Sequence, residues 1–423
     1  MDSRYNNNYC KPEERIWYHS LLKFTPTSMR FEAELLICCA RVHLNPEITE
    51  RIQSLSQKRI DWKNLLDIAY RHRVMPLLSW NLRQLCVQTL PTEIMQQLHA
   101  YLKQNIRRNL VLSGRLHELL KRLKENQIPA LTFKGPTLAE NVYGSLALRQ
   151  FGDLDIVVDK HDAFRARNLL LSLGYRSEFG MNDSQFKVFV KTKNSAPFIS
   201  DEGEIAVDLH WEMTGKYSLM PFDLNTLAER VIPATLAGKP IDHLCPEDLL
   251  LYLCHHGCQH CWEKLEMICS VSELVRSNAD MDWERITNLA AQKGCERIVF
   301  LGLFLANDLF GAPLPSRLLK IVRTNAKICK LATEIYNGLF SKDRQTLASG
   351  LSSKFSFFHL NVRERLSEKI RYGLHLTINP TKEEWRLLPL PASLAAIFYM
   401  FRPVRLAAGL AMVLLRRGWR NST

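Results

Sequence analysis

The chain contains 423 residues, of which 46% are apolar and 23% are charged. This composition excludes a low-complexity or largely unstructured protein and allows roughly two to four folded domains. The net charge of +13, from 56 basic and 43 acidic residues, favours acidic partners such as nucleotides, nucleic acid or an anionic membrane surface. Because the basic residues are dispersed until close to the C-terminus, a solvated surface is the simpler interpretation of most of them.

The first 126 residues divide into an arm and a helical region. Residues 1–30 have little periodicity and lack the apolar core of a secretory signal, so we expect a loosely ordered arm and a cytoplasmic protein with reduced thiols. Over 31–126 apolar residues recur at three- and four-residue spacing, which predicts an N-terminal helical domain. One helix is expected to begin at Asp61, and a long helix or a kinked pair to end near Asn126.

Residues 127–240 change to β-prone runs separated by amphipathic segments. Short strands are expected for IPALTFKG, FGDLDIVVD, KVFVKTK, APFIS and IAVDLHWEM, and helices for PTLAENVYG and KHDAFRARNLLLSLGY. Pro136 begins the first of these helices, at the position where proline is best tolerated. The resulting β-α-β-α-β-β-β order predicts an α+β fold with a small mixed sheet.

Helical periodicity returns after residue 240. It predicts a helical domain over 241–320 and a helical C-terminal region over 321–423 that ends in a basic, apolar tail. Two apolar runs within 387–420 are too short or too interrupted by proline to span a bilayer, so an integral membrane protein is not expected. Two helices packed on the main body are the favoured interpretation, and peripheral membrane contact through 387–420 is the alternative.

One helical segment, CHHGCQHC, has the residue types of a metal site. It places His256 and His260 one helical turn apart, an arrangement that binds zinc in some proteins. The chain has neither a glutamate after the first histidine nor a second cysteine pair at zinc-finger spacing. We therefore expect Cys254 and Cys258 to be small buried groups, and leave open whether His256 or His260 reaches a substrate.

Three carboxylates indicate the chemistry. Asp153 and Asp155 lie two residues apart on one predicted strand, so their side chains point to the same side. Asp208 lies on a later strand, and pairing of the two strands would bring all three acids together. Like charges this close are unfavourable without a cation between them, and oxygen ligands suit Mg²⁺ or Mn²⁺. Isolated Asp-x-Asp pairs are common by chance, so the surrounding residues decide the interpretation.

Those residues resemble a known family. The pattern comprises Lys134-Gly135, Arg149, Asp153-Leu154-Asp155 and Asp208-Leu209-His210-Trp211. It is similar to the uncharacterised bacterial nucleotidyltransferases of the DNA polymerase β-like superfamily. The resemblance implies a polymerase β-like sheet domain flanked by N- and C-terminal helical domains. It also implies Mg²⁺-dependent transfer of a nucleoside monophosphate from a nucleoside triphosphate to an acceptor, with release of pyrophosphate.

The resemblance assigns roles to eight residues. The catalytic and metal-binding positions would be Asp153, Asp155 and Asp208, the last as a third ligand or as the group that activates the acceptor. The nucleotide-binding positions would be Lys134, Gly135, Thr137, Arg149 and His210. The acceptor is open among small molecules, sugars, peptides, proteins and tRNA, and phosphate transfer of the kinase type is a neighbouring chemistry.

The turn at Gly135 departs from the superfamily pattern. The usual turn is Gly-Gly or Gly-Ser, whereas this chain has Gly135-Pro136-Thr137. Pro136 donates no amide, so we expect the Thr137 hydroxyl to replace one phosphate contact. Gly144 offers another turn, but Gly135 is preferred because a strand precedes it and a helix follows. The departure motivates the alternative of a catalytically silent nucleotide-binding or scaffold protein of the same fold.

Overall fold

A computed structural model describes residues 29–214, 224–340 and 357–379, together with residues 21, 23, 25, 397, 399, 402 and 403. Most of the expected arm (1–30) and most of the apolar tail (387–420) lie outside these residues. Within the described part of the chain, every helix is too short or too polar to cross a bilayer.

A group of helices precedes the sheet. They are α1 (Arg30–Cys39), α2 (Pro46–Ser56), α3 (Trp62–Arg71), α4 (Met75–Leu85) and α5 (Thr92–Glu125). The helix start predicted at Asp61 is confirmed, because the Asp61 side chain accepts a hydrogen bond from the Asn64 amide and caps α3. The long helical segment is one helix of 34 residues, α5. Its Asn109 side chain donates to the Arg149 carbonyl at 2.8 Å, which fixes the segment ahead of the strand that carries the acids.

A small mixed sheet follows, as predicted. Its strands are β1 (Ala130–Thr132), β2 (Asp153–Val158), β3 (Tyr175–Ser177), β4 (Ser195–Ser200) and β5 (Ala206–His210). They lie in the order β1-β2-β5-β4-β3, with β2 and β5 parallel and the other neighbours antiparallel. The connecting helices are α6 (Pro136–Asn141), α7 (Ala163–Ser172) and α8 (Asp183–Thr192). After β3 and β4, the chain returns as β5 between β4 and β2. The two aspartate-bearing strands, β2 and β5, are therefore neighbours.

The strand predicted for KVFVKTK is wrong. This run lies in α8, which begins with a capping box between Asn182 and Gln185. Helical spacing lets Phe186 and Phe189 face the core together, where both contact the Trp211 ring. Valine and threonine favour strands only weakly, and here the cap and the aromatic packing prevail.

The rest of the described chain is a hairpin and a second group of helices. The hairpin joins β6 (Val231–Leu236) to β7 (Lys239–Leu244). The helices are α9 (Leu224–Ala228), α10 (Pro246–Gln259), α11 (Leu265–Ser277), α12 (Trp283–Lys293), α13 (Glu296–Phe310), α14 (Ser316–Thr324), α15 (Ala326–Leu339), α16 (Phe357–Asn361) and α17 (Leu366–Ile378).

Two hydrophobic cores hold these elements together. One lies around the sheet and includes Leu154, Val207 and Trp211. The other is built from helices that precede the sheet in the chain, α1–α4, and from helices that follow it, α10–α15. Arg41, just after α1, donates to the Leu309 carbonyl in α13 at 2.9 Å and links the two groups. His72, in the turn between α3 and α4, accepts hydrogen bonds from the Leu265 and Glu266 amides and so lies beside the start of α11.

Candidate functional site

Strand pairing brings two of the three predicted acids together. On the parallel strands β2 and β5, Asp155 is the register partner of Asp208, and Asp153 is the partner of Ala206. Side chains at matching register positions of neighbouring strands project to the same face of a sheet. Asp155 is buried and Asp208 is half-buried, so the two carboxylates are largely shielded from solvent.

His210 joins this pair. Its Nε2 lies 3.2 Å from Asp155 Oδ1 and 3.3 Å from Asp208 Oδ2. Burial alone would lower the pKa of His210, but the Asp208 and Asp155 carboxylates raise it to about 9. The imidazole therefore carries a positive charge at neutral pH while it bridges the two acids.

Asp153 occupies the outer end of the same strand. Its side chain is exposed, and it lies outside the close group formed by Asp155, Asp208 and His210. Desolvation by the surrounding protein and the neighbouring Asp155 carboxylate raise the pKa of Asp153, while Lys134 and Arg73 lower it. Asp153 is thus coupled electrostatically to the group but remains accessible to a ligand.

Lys134 is paired with one of the acids. Its Nζ lies 3.0 Å from Asp155 Oδ1, and it also lies 5.5 Å and 5.6 Å from the ring centroids of Phe133 and Tyr252. Burial alone would lower the pKa of Lys134, yet the Asp155 carboxylate raises it. Burial would likewise raise the pKa of Asp155, but Lys134 and His210 lower it. Both groups are therefore charged in the folded protein.

The turn after Lys134 is built around Gly135, which has φ +58° and precedes α6. A Cβ atom there would lie 3.3 Å from the Asp153 carbonyl oxygen, so the backbone of the turn passes close to β2. Thr137 is fully buried, and its hydroxyl donates to the Lys134 carbonyl at 2.7 Å. In this structure the Thr137 hydroxyl stabilises the turn.

Arg149 also has a protein partner. Its guanidinium forms an ion pair with Glu266 at the start of α11, and both side chains are 9% exposed. The pKa of Glu266, which burial would raise, is lowered by Arg149 and, to a lesser extent, by Arg73. The pair joins the segment before β2 to α11, so Arg149 is held near the acids by an opposite charge.

Tyr252 lies beside the site, although no motif in the sequence indicates it. The Tyr252 ring meets Phe133 edge-on at 4.9 Å and is stacked on His256 at 5.9 Å, and His256 lies 4.7 Å from His260. In the sequence, Tyr252 is distinguished by its position one helical turn before His256. The rings of Tyr252, His256 and His260 form a row that begins beside Lys134 and follows α10 to its C-terminal cap. Cys254 and Cys258 are buried, as expected.

The acid group suits a divalent cation. Among the described residues, Asp155, Asp208 and His210 form the one group whose ligand atoms, all within 4.8 Å of one another, are placed to hold a metal ion. Carboxylate oxygens are the donors that Mg²⁺ and Mn²⁺ prefer, and the protonated His210 would have to lose its proton before its Nε2 could bind a metal. His256 and His260 do not belong to any such group in the described part of the chain.

One comparison with known proteins is informative. A family model described as "uncharacterised nucleotidyltransferase" matches residues 58–311, which is more than half of the chain. The match extends from α3 to α13 and includes the sheet and every site residue described above. No curated protein and no solved structure matches the chain.

Proposed function

The chain belongs to this family of uncharacterised nucleotidyltransferases, and we propose that it transfers a nucleoside monophosphate from a nucleoside triphosphate to an acceptor and releases pyrophosphate. The observation that carries the proposal is the register pairing of Asp155 with Asp208 beside His210. We further propose that the sheet is of the DNA polymerase β-like type and that the reaction takes place in the cytoplasm.

The three acids would hold Mg²⁺ or Mn²⁺. Asp155 and Asp208 supply oxygens on neighbouring strands, and the exposed Asp153 supplies another at the open end of the site. When bound, the cation would neutralise triphosphate charge and stabilise the departing pyrophosphate. Asp208 either completes the ligand set or accepts the proton of the acceptor hydroxyl. His210 orients the Asp208 carboxylate, since its Nε2 lies 3.3 Å from Asp208 Oδ2.

The remaining predicted residues would shape the nucleotide side of the site. Gly135 allows the backbone to approach phosphate oxygens, and Thr137 fixes the turn through its bond to the Lys134 carbonyl. Lys134 would contribute positive charge next to Asp155. Arg149 would act by holding the entry to β2 in place through Glu266.

Radiolabelled triphosphates test the proposal directly. Purified protein with Mg²⁺ and each of ATP, GTP, CTP and UTP should release pyrophosphate in the presence of its acceptor, supplied as a cell extract. Asp153→Asn combined with Asp155→Asn should abolish turnover. The control Asp159→Asn removes an acid that follows the same strand and whose carboxylate accepts a hydrogen bond from the His161 amide, so it should retain activity. Turnover that survives the double substitution would refute the assignment.

One observation favours a catalytically silent protein as the second candidate. Lys134 Nζ and His210 Nε2 both meet the same oxygen of Asp155, where a metal ligand is needed. In addition, Pro136 offers no amide to phosphate at the turn. Calorimetry separates the two candidates: triphosphate binding without pyrophosphate release under any acceptor condition would favour a nucleotide-sensing or scaffold role.

A further inference from the structure

The cations predicted from the sequence are both held by protein carboxylates. Lys134 pairs with Asp155, and Arg149 pairs with Glu266 in a buried contact. A nucleoside triphosphate brings several negative charges to a site that already contains three acids. Positive charge from outside these two ion pairs is therefore needed on the phosphate side.

The turn between α3 and α4 is fixed beside the site. The His72 carbonyl accepts a hydrogen bond from the Glu266 amide at 3.2 Å, and His72 Nδ1 accepts one from the Leu265 amide at 3.2 Å. His72 itself is 4% exposed. Two hydrogen bonds to the first residues of α11 thus determine where the next residue, Arg73, is placed.

Arg73 follows His72 directly and so lies beside the first turn of α11, where Glu266 pairs with Arg149. Its charge acts on Asp153 in β2, on Glu266 in α11 and on His260 at the end of α10. These three groups belong to three different elements of the structure. The Arg73 side chain is exposed, and within the described part of the chain it forms no ion pair and no side-chain hydrogen bond.

The backbone of Arg73 is unusual for an arginine. Its φ is +56°, in the left-handed region that favours glycine. Such conformations in residues other than glycine cluster at ligand-binding sites, where the surrounding structure maintains them. A guanidinium is permanently charged and matches phosphate oxygens with two parallel hydrogen bonds.

We propose that Arg73 binds the terminal phosphates of the triphosphate, on the Asp153 side of the acid group. This assignment rests on the proposed function and adds a residue from outside the sheet to it. The turn between α3 and α4 then forms part of the nucleotide site, and the position of Arg73 there depends on the hydrogen bonds between His72 and α11.

The test measures ligand binding to the wild type and three variants by calorimetry in the presence of Mg²⁺. The ligands are the four ribonucleoside triphosphates, the corresponding monophosphates and inorganic pyrophosphate, each titrated separately. Arg73→Gly removes the charge and suits the positive φ, so the variant should fold at least as well as the wild type. Arg73→Lys keeps the charge without the two-pronged geometry. Arg71→Gln is the matched control, because Arg71 pairs with Asp67 at 3.0 Å on the exposed side of α3.

Arg73→Gly should weaken the binding of triphosphate and pyrophosphate about 10- to 100-fold, the usual effect of losing a charge-assisted hydrogen bond. Arg73→Lys should fall between that variant and the wild type. Monophosphate binding should be unchanged, and Arg71→Gln should match the wild type throughout. Unchanged triphosphate and pyrophosphate binding in Arg73→Gly would overturn the assignment of Arg73 alone. A wild-type protein that binds no triphosphate would overturn the proposed function, and this inference with it.

Discussion

Lys134 and Asp155 form a buried ion pair at the position where a metal ligand is needed, with Nζ 3.0 Å from Oδ1. The pair connects the glycine turn to the acid group, since Lys134 immediately precedes Gly135. It also means that a cation arriving at Asp155 meets a positive charge already in place. Metal binding and the position of Lys134 are therefore coupled.

Replacing Lys134 with methionine should strengthen metal binding in the absence of nucleotide. At an effective dielectric constant of about 20, like charges a few ångströms apart repel by several kcal/mol, so a tenfold or greater gain in Mn²⁺ affinity is expected. Calorimetric Mn²⁺ titration of wild type and Lys134→Met measures it. The control Lys160→Met removes a lysine paired with Glu212 instead, and should leave the affinity unchanged. An unchanged or weaker affinity in Lys134→Met would show that Lys134 does not compete with the metal.

The turn at Gly135 should tolerate no side chain. Gly135→Ala combines a left-handed backbone, which costs about 1–2 kcal/mol, with a 3.3 Å approach to the Asp153 carbonyl. Gly144→Ala is a matched control, because Gly144 has φ +71° but no atom within 4 Å of an added Cβ. Urea unfolding should show a larger loss of stability for Gly135→Ala than for Gly144→Ala. Equal losses would mean that the close approach to β2 has no energetic effect.

The Arg149–Glu266 ion pair should be strongly coupled. Removing one partner leaves a buried unpaired charge, which costs about 3–5 kcal/mol. Arg149→Met and Glu266→Leu should each destabilise the protein by such an amount, while the double variant should recover much of the loss. A double-mutant cycle from urea unfolding gives the coupling energy. Additive losses would show that the two side chains act independently.

Local signals in the sequence predicted the strands that carry the acids but not the partners of Lys134 and Arg149. The acid strands and the cap at Asp61 follow from alternation and capping, which depend only on neighbouring residues. The strand expected for residues 187–193 was wrong, because the capping box of Asn182 and Gln185 starts a helix ahead of those β-prone residues. The pairing of Arg149 with Glu266 spans 117 residues and has no local signature.

The hairpin and the third strand show the same limit. The β6–β7 turn has φ +50° at Ala237 and +74° at Gly238, a conformation that two-residue hairpins require but that an alanine does not signal. The third strand, β3, has three residues and is defined mainly by its pairing with β4. Both elements depend on contacts formed only in the folded chain.

Stability should depend on pH through His243, which is 4% exposed on β7. Burial lowers the pKa of His243 to about 4 in the folded protein, below its ordinary value of 6.5. The unfolded chain therefore binds a proton between pH 6.5 and 4 that the folded chain does not, so stability falls as the pH falls through this window. The difference amounts to about 3 kcal/mol at the acid end.

The variant His243→Asn isolates this contribution. The stability of the wild type relative to the variant should be constant above pH 7 and should decrease steadily between pH 6.5 and 4. Urea unfolding at a series of pH values measures both curves. Parallel curves over the whole range would show that His243 does not titrate differently in the folded and unfolded chains.

The claim on which the account depends is that Asp155 and Asp208 hold one divalent cation between them. Anomalous diffraction from crystals grown with Mn²⁺ and a non-hydrolysable triphosphate analogue tests it most directly. We predict a manganese peak within about 2.5 Å of a carboxylate oxygen of both residues, the usual range for such ligands. Manganese bound elsewhere, or an Asp208 side chain turned into the hydrophobic interior, would contradict it.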